Sequence, residues 1–582
     1  MSPAIATLLA FVAYILAYRI YSARLAAQVF RLDPDRVTPA HRYQDGVDYE
    51  PTRPAILFGH HFASITGLAP MLGPAIAVIW GWAPALIWVL CGSIFIGCVH
   101  DFSALVLSVR GRGLSVGTLA EGEISPQAKR LFLLLIFFGV SLAMGVFVFI
   151  IAKLFGLYLV PPSEASPGLE GYPQAVFPSL ALMLIALVSG WLLKRRGAPL
   201  APVISVGFIL SLLSIWAGLW LKERGVYDPS WWPSGASWSL ILLAYAFAAS
   251  VLPVWTLLQP RDFLNSLLLY LGLGLAYLGF FIAQPEFNAP AFVPDPEGAP
   301  PMLPFVFIMI ACGAASGFHG RVSSGTSSKQ LAHEGDARPI GYGGMIGESL
   351  LGLLAVLACT AGFASPAEWH SHYASFESAK GLASKLAGFI EGTSSFLSAL
   401  GLPSALAGAL IAMVVVSFAL TTLDSATRLL RFNIEELFGG SCPPLRNRYL
   451  SSLAACASIA LFAFYEVNGK PAALALWGLF GTTNQLLAAL TLSLATLYLK
   501  RRGAPVWYTG IPALFMMGST IISMSLNLWR FAQGAGDLLL LSVGSALLIL
   551  GLWVMVSLAL ALRRPVIGWH PEILGLEEEP EA

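Results

Sequence analysis

Seven ionisable side chains lie within long apolar stretches of this sequence: His60, His61, His100, Asp101, His319, Glu348 and Asp424. A charge at the centre of a bilayer costs about 2.5 kcal/mol or more, so an ionisable group kept there is a functional candidate. The pairs His60/His61 and His100/Asp101 are predicted to lie at one depth. Because histidine changes charge near neutral pH, we predict that His60 or His61 pairs with Asp101 and that this polar layer carries or gates a proton. A static pair that locks two helices is the alternative.

A second group of polar residues could contact a small substrate. It comprises Ser64, Thr66, Gly67, Ser316, His319, Ser323, Ser324, Thr326, Lys329, Asn484 and Gln485. In the tract SSGTSSKQ (323–330), hydroxyls and Lys329 could hold a carboxylate through a charge-assisted hydrogen bond, whereas a capped cytoplasmic turn is the alternative. The amides of Asn484 and Gln485 interrupt an apolar run and could either contact substrate or bond across helices.

Two apolar segments contain residues that should interrupt a helix. Segment 54–80 has Gly67, Pro70, Gly73 and Pro74 near its middle, and proline there removes a backbone hydrogen bond. Segment 303–330 has a short apolar half followed by glycines and a tract rich in serine and threonine. Backbone that leaves the helical form at membrane depth is tolerated where it is buried in protein or lines a cavity. The breaks are therefore predicted to frame the site.

The composition indicates which elements must position these residues. Hydrophobic residues make up 57% of the 582-residue chain and charged residues only 11%, whereas about 25% of residues are charged in soluble proteins. Apolar runs of about twenty residues recur, and each is long enough to cross a bilayer as a helix. This predicts an all-α, polytopic membrane protein, since a β-barrel would show short alternating segments. The net charge of +1 gives no field that would attract nucleic acid.

The apolar runs predict about fifteen transmembrane helices. Their predicted ranges are 3–22, 54–80, 82–108, 130–157, 175–193, 199–221, 237–258, 263–284, 303–320, 342–363, 403–427, 449–465, 472–499, 507–527 and 540–562. With the N-terminus outside and the C-terminus in the cytoplasm, the cytoplasmic side receives about 26 of the 33 basic residues, which is the expected bias. We therefore predict this orientation in the plasma (inner) membrane.

The direction of the spans predicts an internal repeat. Interrupted helices occupy corresponding positions in the two halves of transporters with inverted repeats. The segments that begin at 54 and 303 would enter the membrane from opposite sides, as a five-plus-five inverted repeat requires. The predicted organisation is a first span with a cytoplasmic loop (1–53), a first repeat (54–222), two inserted spans (223–302), a second repeat (303–500) with an external lid segment (364–402), and two C-terminal spans with a cytoplasmic tail (501–582).

Several long stretches resemble one known family. They are FGHHFASITGLAPMLGPAIAVIWGW (58–82), GSIFIGCVHDFSALVLSVRGRG (92–113), SVLPVWTLLQPRDFLN (250–265), ACGAASGFHGRVSSGTSSKQL (311–331), ALTTLDSATRLLRFNIEEL (419–437) and LWGLFGTTNQLLAAL (476–490). On these strings the sequence resembles the carbon starvation protein A family, a branch of the amino acid, polyamine and organocation transporter superfamily. The resemblance implies a LeuT-like core and uptake of small carbon sources, such as peptides or pyruvate, during nutrient limitation, driven by a proton or sodium gradient.

The same resemblance suggests a role for hydroxyls in ALTTLDSAT (419–427). Thr421, Thr422 and Asp424 lie on what would be the third span of the second repeat, where paired hydroxyls can ligate sodium in LeuT-like folds. Hydroxyls that bond back to their own helix would give the same pattern, so H+ and Na+ both stay open as the coupling ion. The predicted coupling residues are His60, His61, Asp101, Glu348, Thr421, Thr422 and Asp424.

The sequence therefore predicts a secondary active transporter of the symporter type, and not an enzyme. An intramembrane metal-dependent hydrolase is one alternative, but adjacent histidines point about 100° apart on a helix, unlike the i, i+4 histidines of an HExxH motif. No metal site is predicted. A channel is the other alternative. The expected partners are the lipid bilayer and a small carboxylate or peptide, with no nucleic acid and no cofactor besides the coupling ion.

Overall fold

Apolar segments of this chain form helices because a bilayer offers an open backbone no hydrogen-bond partners. The computed structural model describes residues 2–160, 169–467, 470–471, 476–533 and 538–563. Up to residue 283 its helices are α1 (Pro3–Val29), α2 (Pro39–Arg42), α3 (Pro54–Ile65), α4 (Ala69–Trp80), α5 (Trp82–Arg110), α6 (Val116–Glu123), α7 (Pro126–Phe155), α8 (Pro173–Arg195), α9 (Leu200–Glu223), α10 (Gly235–Val251) and α11 (Leu258–Ala283).

The second half of the described chain is also helical. Its helices are α12 (Met302–Met309), α13 (Gly317–Gly325), α14 (Glu334–Ala361), α15 (Pro366–His372), α16 (Phe376–Ala379), α17 (Leu382–Ser398), α18 (Ser404–Phe438), α19 (Arg448–Phe464), α20 (Trp477–Arg501), α21 (Trp507–Gln533) and α22 (Leu538–Arg563). Two short antiparallel strand pairs lie between helices, β1 (Tyr158–Val160) with β2 (Leu169–Glu170) and β3 (Glu466–Val467) with β4 (Lys470–Pro471).

Ten of these helices are long and apolar enough to cross a membrane, and α3 with α4 makes an eleventh candidate span that is bent by 46°. The ten are α1, α5, α7, α8, α9, α11, α14, α18, α21 and α22. Helices α10 and α19 are apolar but only 17 residues long. The predicted class, an all-α polytopic membrane protein, is confirmed. The count of fifteen and the inverted repeat stay predictions.

Burial separates central helices from peripheral ones. In the most apolar 18 residues of α18 and α14, 89% and 83% of the positions are buried, against 28% in α1 and 33% in α22. Helices α14 and α18 therefore lie at the centre of the bundle, and α1 and α22 have one packed face and one exposed apolar face that suits lipid.

The first predicted break is present. Helix α3 ends at Ile65, Thr66 leaves the helical region with φ −79° and ψ 89°, and α4 begins at Ala69 with Pro70 in its first turn. Proline suits a first helical turn, where its missing N–H has no intrahelical partner to lose. The interruption therefore falls at 66–68, beside Gly67, while Gly73 and Pro74 lie within α4.

The second predicted break is longer. Helix α12 ends at Met309, and the chain resumes as α13 at Gly317. Residues 310–316 between them leave carbonyl and amide groups of both helix ends without their intrahelical partners. Both predicted interruptions of the helical ladder are thus confirmed in position.

The two broken segments touch where Gly73 meets the end of α12. A Cβ atom added at Gly73 would lie 2.4 Å from the carbonyl oxygen of Met309, whereas one added at the exposed Gly274 of α11 would meet nothing within 4 Å. We expect Gly73→Ala to destabilise the protein by about 1 to 3 kcal/mol, since a backbone atom must shift. Gly274→Ala is the matched control and should be neutral or slightly stabilising. Thermal unfolding of the purified variants measures both, and equal unfolding temperatures would contradict the close contact.

The segment 364–402 contains α15, α16 and α17 and is fixed to the bundle at several points. The ring N–H of Trp369 donates to the carbonyl of Cys359 at 3.1 Å, and the hydroxyl of Tyr373 donates to the carbonyl of Ala75 at 2.7 Å. The segment therefore joins α4 to α14. Its placement outside the membrane, like the domain boundaries, stays a prediction, and the predicted cytoplasmic tail at 564–582 lies outside the described residues.

Candidate functional site

Three ionisable side chains meet at the start of α13. The Nδ1 atom of His319 lies 3.0 Å from Oδ2 of Asp101 on α5, and its Nε2 atom lies 3.2 Å from Oε2 of Glu348 on α14. The Nε2 atom is thus within ion-pair distance of Glu348, but its geometry does not meet the criteria for a hydrogen bond. All three residues have no exposed surface. We call Asp101, His319 and Glu348 the buried triad.

Local helix geometry brings the buried triad together. Helix α5 contains a π-helical turn at Ser93–Gly97, and α14 contains another near its start, at Arg338–Gly343. Such turns insert an extra residue and rotate the side chains that follow. Gly97 also lets α5 approach the second break, since a Cβ atom there would lie 2.2 Å from the carbonyl oxygen of Ala314.

The buried triad has the chemistry to bind and release protons. A neutral imidazole has one N–H and one lone pair, yet both nitrogens of His319 face carboxylates. An imidazolium can donate to Asp101 and also face Glu348 favourably. With His319 positive and both carboxylates ionised, one negative charge remains buried, and a further proton would neutralise it. His100 donates to the other oxygen of Asp101 from its Nδ1 atom at 2.8 Å, which leaves Glu348 as the less engaged carboxylate.

Within the described residues, one group of buried side chains has ligand types that suit a metal ion. The ligand atoms of Cys312, His319 and Glu348 lie within 4.8 Å of one another. Tetrahedral zinc, with bonds of about 2.0 to 2.3 Å, requires ligand atoms less than about 4 Å apart. The sulfur of Cys312 also donates to Ser316 at 3.3 Å, so metal binding would require these side chains to move.

A second buried network surrounds Arg261 of α11. Its guanidinium bonds to Asp262 at 2.6 Å and to the hydroxyl of Tyr245 at 2.5 Å, and it also pairs with Asp424 of α18. The Nδ1 atom of His60 lies 2.6 Å from the other oxygen of Asp262. This network, which we call the Arg261 network, links α3, α10, α11 and α18.

The predicted pairing of His60 or His61 with Asp101 is wrong. His60 pairs with Asp262, and His61 lies 2.8 Å from the hydroxyl of Ser327, just after α13. Adjacent residues on a helix diverge by about 100°, so the two histidines of α3 point to different neighbours. The oxygens of Asp101 are occupied instead by His100 and His319.

Oxygen atoms of α3 and α18 converge at the first break. Thr421 donates to the carbonyl of Ala63 at 3.0 Å and also to Phe418 of its own helix, while Thr422 donates to the carbonyl of Ser64 at 3.4 Å. The hydroxyls of Ser64 and Ser425 are 2.8 Å apart. Ser64, Thr421 and Thr422 are thus brought together; Thr421 also bonds back to its own helix, and sodium ligation by these hydroxyls stays a prediction.

Thr66 and Gly67 occupy the break itself. The hydroxyl of Thr66 is buried and lacks a hydrogen-bond partner among the described residues. A Cβ atom at Gly67 would lie 3.0 Å from the hydroxyl of Thr422 and 3.1 Å from Phe147 of α7. Gly67 therefore permits close packing of the break against α18 and α7.

The side chains of the tract 323–330 have several different partners. Ser324 and Thr326 donate to carbonyls one turn earlier, at 2.6 and 3.1 Å. The ammonium of Lys329 lies over the ring of Phe432, 3.6 Å from its centroid. The hydroxyl of Ser323 is buried and has no partner in the described part of the chain. For most of the tract this is the geometry of a capped turn.

Asn484 and Gln485 of α20 bond to the second broken segment. Oδ1 of Asn484 accepts from the backbone N–H of Phe318 at 2.9 Å, and its Nδ2 donates to Ser316 at 3.0 Å. Gln485 donates to the carbonyl of Phe307 at the end of α12. These amides replace hydrogen bonds that the break removes, as cross-helix bonding predicts.

A cluster of charged side chains lies near the C-terminal end of α18. Asp48, in the loop between α2 and α3, accepts from Arg428 at 2.5 Å and from Arg431 at 3.0 Å. Burial alone would raise the pKa of Asp48, but the charges of Arg428, Arg431 and Lys329 outweigh it and lower the pKa from 3.8 to about 2. The loop is therefore held to α18 by a carboxylate that stays ionised at neutral pH.

Asp48→Asn should destabilise the protein at neutral pH by about 3 kcal/mol, because it leaves buried Arg428 without its carboxylate. The stability that Asp48 contributes is complete above pH 3.8 and is lost as the pH falls toward about 2. Unfolding temperatures measured between pH 7 and pH 2 should show this loss in the parent protein and not in the variant. The exposed Asp35→Asn is the matched control, and an effect of equal size there would contradict the assignment.

Sequence reasoning missed several residues of these networks. Arg261 and Asp262 lie in the quoted string SVLPVWTLLQPRDFLN, and Cys312 and Arg321 lie in the string that surrounds the second break. Charged residues inside the strings that carry the resemblance were the available signal. Tyr245 gave none, because an aromatic residue in an apolar helix usually packs against the core or lipid.

Interrupted helices that meet around buried ionisable networks, within a polytopic helical bundle, define this protein as a membrane transporter of the secondary type. A family model described as "Carbon starvation protein CstA" matches residues 3–370 and 362–523. The chain belongs to the CstA family, which confirms the resemblance noted from sequence.

Characterised relatives agree with this class. The chain is 32% identical to the pyruvate/proton symporter BtsT of Escherichia coli K12, over 89% of this chain and 80% of that protein. It is 32% identical to the peptide transporter CstA of the same strain, over 87% of this chain and 78% of that protein. For the peptide transporter CstA of Bacillus subtilis 168 the identity is 31%, with 83% of each chain covered. The prediction of a secondary transporter is confirmed.

Solved structures show a weaker similarity. The transporter MhsT, solved with L-phenylalanine, aligns with a TM-score of 0.45 and 13% identity, over 87% of this chain and 98% of that one. A manganese transporter of Eremococcus coleocola aligns with a TM-score of 0.45 and 10% identity, over 89% and 99% of the two chains.

Proposed function

We propose that this chain is a proton-coupled symporter that imports a small carboxylate such as pyruvate, or a short peptide, across the plasma membrane. The observation that carries the proposal is the buried triad, in which His319 lies between Asp101 and Glu348 at the second break. A relative is a pyruvate/proton symporter and others are peptide transporters. The proposed orientation has the N-terminus outside and the C-terminus in the cytoplasm, following the distribution of basic residues.

The proposed coupling follows from where the buried triad lies. Its three members come from α5, α13 and α14, so a proton that binds there alters the electrostatic balance between three helices at once. A ligand can shift a conformational equilibrium only by its differential affinity for the two states. A proton that neutralises the remaining buried charge would favour a closed, dehydrated state over one in which water reaches the triad. No cofactor is proposed besides this ion.

The test is transport by the purified protein in proteoliposomes. An inward proton gradient without sodium should drive accumulation of labelled pyruvate or of a labelled dipeptide, and a protonophore should abolish it. Accumulation driven by a sodium gradient alone would contradict proton coupling. A flux above about a thousand molecules per second that does not saturate with substrate concentration, and that produces no accumulation, would indicate a channel instead.

Sodium coupling is the second candidate, because oxygens of Ser64, Thr421, Thr422 and Ser425 converge at the first break. Hard cations prefer such oxygen ligands. In the same proteoliposomes, a sodium gradient at equal internal and external pH supports this candidate if it drives accumulation.

A further inference from the structure

Arg321 of α13 is a buried cation whose hydrogen-bonding capacity is largely unused. The residue is 1% exposed. Its Nη2 atom donates to the carbonyl of Leu429 on α18 at 3.3 Å, a long contact. Its Nε and Nη1 atoms have no hydrogen-bond partner among the described residues. A guanidinium carries five N–H donors and remains protonated in proteins.

The other buried arginines of the described chain differ from Arg321. Each has a carboxylate within ion-pair distance: Arg110 has Glu334, Arg261 has Asp262, and Arg428 and Arg431 share Asp48. No carboxylate lies at ion-pair distance from Arg321 in the described part of the protein. Glu436, on the same helix as Leu429, accepts from Ser115 at 2.6 Å instead. The charge of Glu436 acts on Arg321 from beyond ion-pair distance. A buried guanidinium without a directly paired carboxylate is nevertheless costly, so this side chain requires an explanation.

The surroundings of Arg321 contain a second unpartnered polar group. The carbonyl of Leu429 accepts the helical bond from the residue four positions later, so the guanidinium lies at the level of Asn433. Both amide atoms of Asn433 are buried without a partner among the described residues. The guanidinium of Arg321 and the side-chain amide of Asn433 both supply N–H donors at the same height along α18, and such donors can bind a carboxylate.

Apolar side chains lie next to this position, because Leu429 belongs to a buried apolar cluster. Ile65, Val322, Leu429 and Phe432 form a small cluster that is separate from the main core, and Phe318 packs against it. Ile65 is the last residue of α3 at the first break, and Phe318 follows the second break. A cationic group with an apolar wall between the two breaks suits an organic anion with a short apolar part.

We propose that the guanidinium of Arg321 binds the carboxylate of the transported substrate between α3, α13 and α18. The inference deepens the proposed function and rests on it, because it specifies the substrate class. A monocarboxylate and the C-terminus of a peptide share this chemistry. Lys329, which the sequence offered for the same role, has its ammonium over the ring of Phe432, 3.6 Å from the ring centroid.

Arg321→Met and Arg321→Lys, with Arg224→Met as control, test the proposal. Arg224 is an exposed arginine that stacks on Trp220. Loss of a charge-assisted hydrogen bond should raise KM for the carboxylate substrate about 10- to 100-fold in Arg321→Met. Arg321→Lys keeps the positive charge but lacks the planar guanidinium, so its KM should lie between those of the parent protein and Arg321→Met. The control should match the parent protein.

Binding is measured separately by thermal unfolding with pyruvate, alanyl-alanine, its C-terminal amide or chloride. Pyruvate or the free dipeptide should raise the unfolding temperature of the parent protein and not that of Arg321→Met, and the arm that does so identifies the source of the carboxylate. An equal shift from the amide or from chloride would overturn the proposal, as would an unchanged KM in Arg321→Met. If Arg321 is only structural, its loss would lower the unfolding temperature without ligand.

Failure of this inference can be distinguished from failure of the proposed function. Unchanged KM in Arg321→Met, with proton-driven accumulation intact in the parent, would reject the Arg321 site and retain proton symport. Absence of gradient-driven accumulation in the parent would reject proton symport, while the unfolding shifts still decide whether Arg321 binds a carboxylate.

Discussion

Glu348→Gln is expected to abolish proton-driven accumulation of substrate while exchange of labelled for unlabelled substrate continues. The amide preserves the size of the side chain but cannot take up a proton. Each pH unit across the membrane can support about tenfold accumulation for one coupled proton, and the variant should lose all of this factor. The groups that face Glu348 are His319, Asp101 and Cys312, with His61 packed against the preceding turn of α14 at Gly344.

Accumulation and exchange are measured on the same proteoliposomes. Exchange needs no net proton movement, so its persistence shows that the variant folds and binds substrate. The matched control is Glu377→Gln, which changes an exposed glutamate paired with Lys380. Accumulation by Glu348→Gln with an unchanged dependence on pH would show that the coupling proton binds elsewhere.

Arg261→Met is expected to be among the most destabilising substitutions in the chain. It would leave Asp262 and Asp424 buried; within the described ranges, His60 is then the one side chain able to carry positive charge at ion-pair distance from either carboxylate. Removing one partner of a buried ion pair costs about 3 to 5 kcal/mol. The double variant Arg261→Met/Asp424→Asn removes one of the stranded carboxylates and should recover part of the loss.

The parent protein, the two single variants Arg261→Met and Asp424→Asn, and the double variant form a double-mutant cycle. Their unfolding temperatures are measured in one detergent. Arg195→Met, at an exposed arginine that stacks on Trp255, is the control. Strict additivity of the two substitutions would mean that Arg261 and Asp424 are not energetically coupled.

The positions of the breaks could be predicted from the sequence because they depend on local chemistry. Gly67 and Pro70 determine the first interruption within a few residues. The short apolar run that ends in glycines gives the second in the same way. Helix interruption is a property of the residues at the site, so no knowledge of distant neighbours is needed.

The partners of the histidines could not be predicted because they depend on the direction in which each side chain leaves its helix and on segments distant in sequence. His60 and Asp262 are 202 residues apart in sequence. The π-helical turn at Ser93–Gly97 rotates Asp101 away from the direction that a regular helix would give. The predicted depth of a residue along its helix therefore does not determine its partner, and the predicted pairing with Asp101 was wrong.

The amides of α20 turn the second break into a joint between three segments. Asn484 bonds to the start of α13 and Gln485 to the end of α12, and a Cβ atom at Gly317 would lie 2.3 Å from the carbonyl oxygen of Asn484. Helices α12 and α13 can therefore not move independently of each other about the break. Any displacement that separates α12 from α13 must move α20 together with one of them and break its bonds to the other.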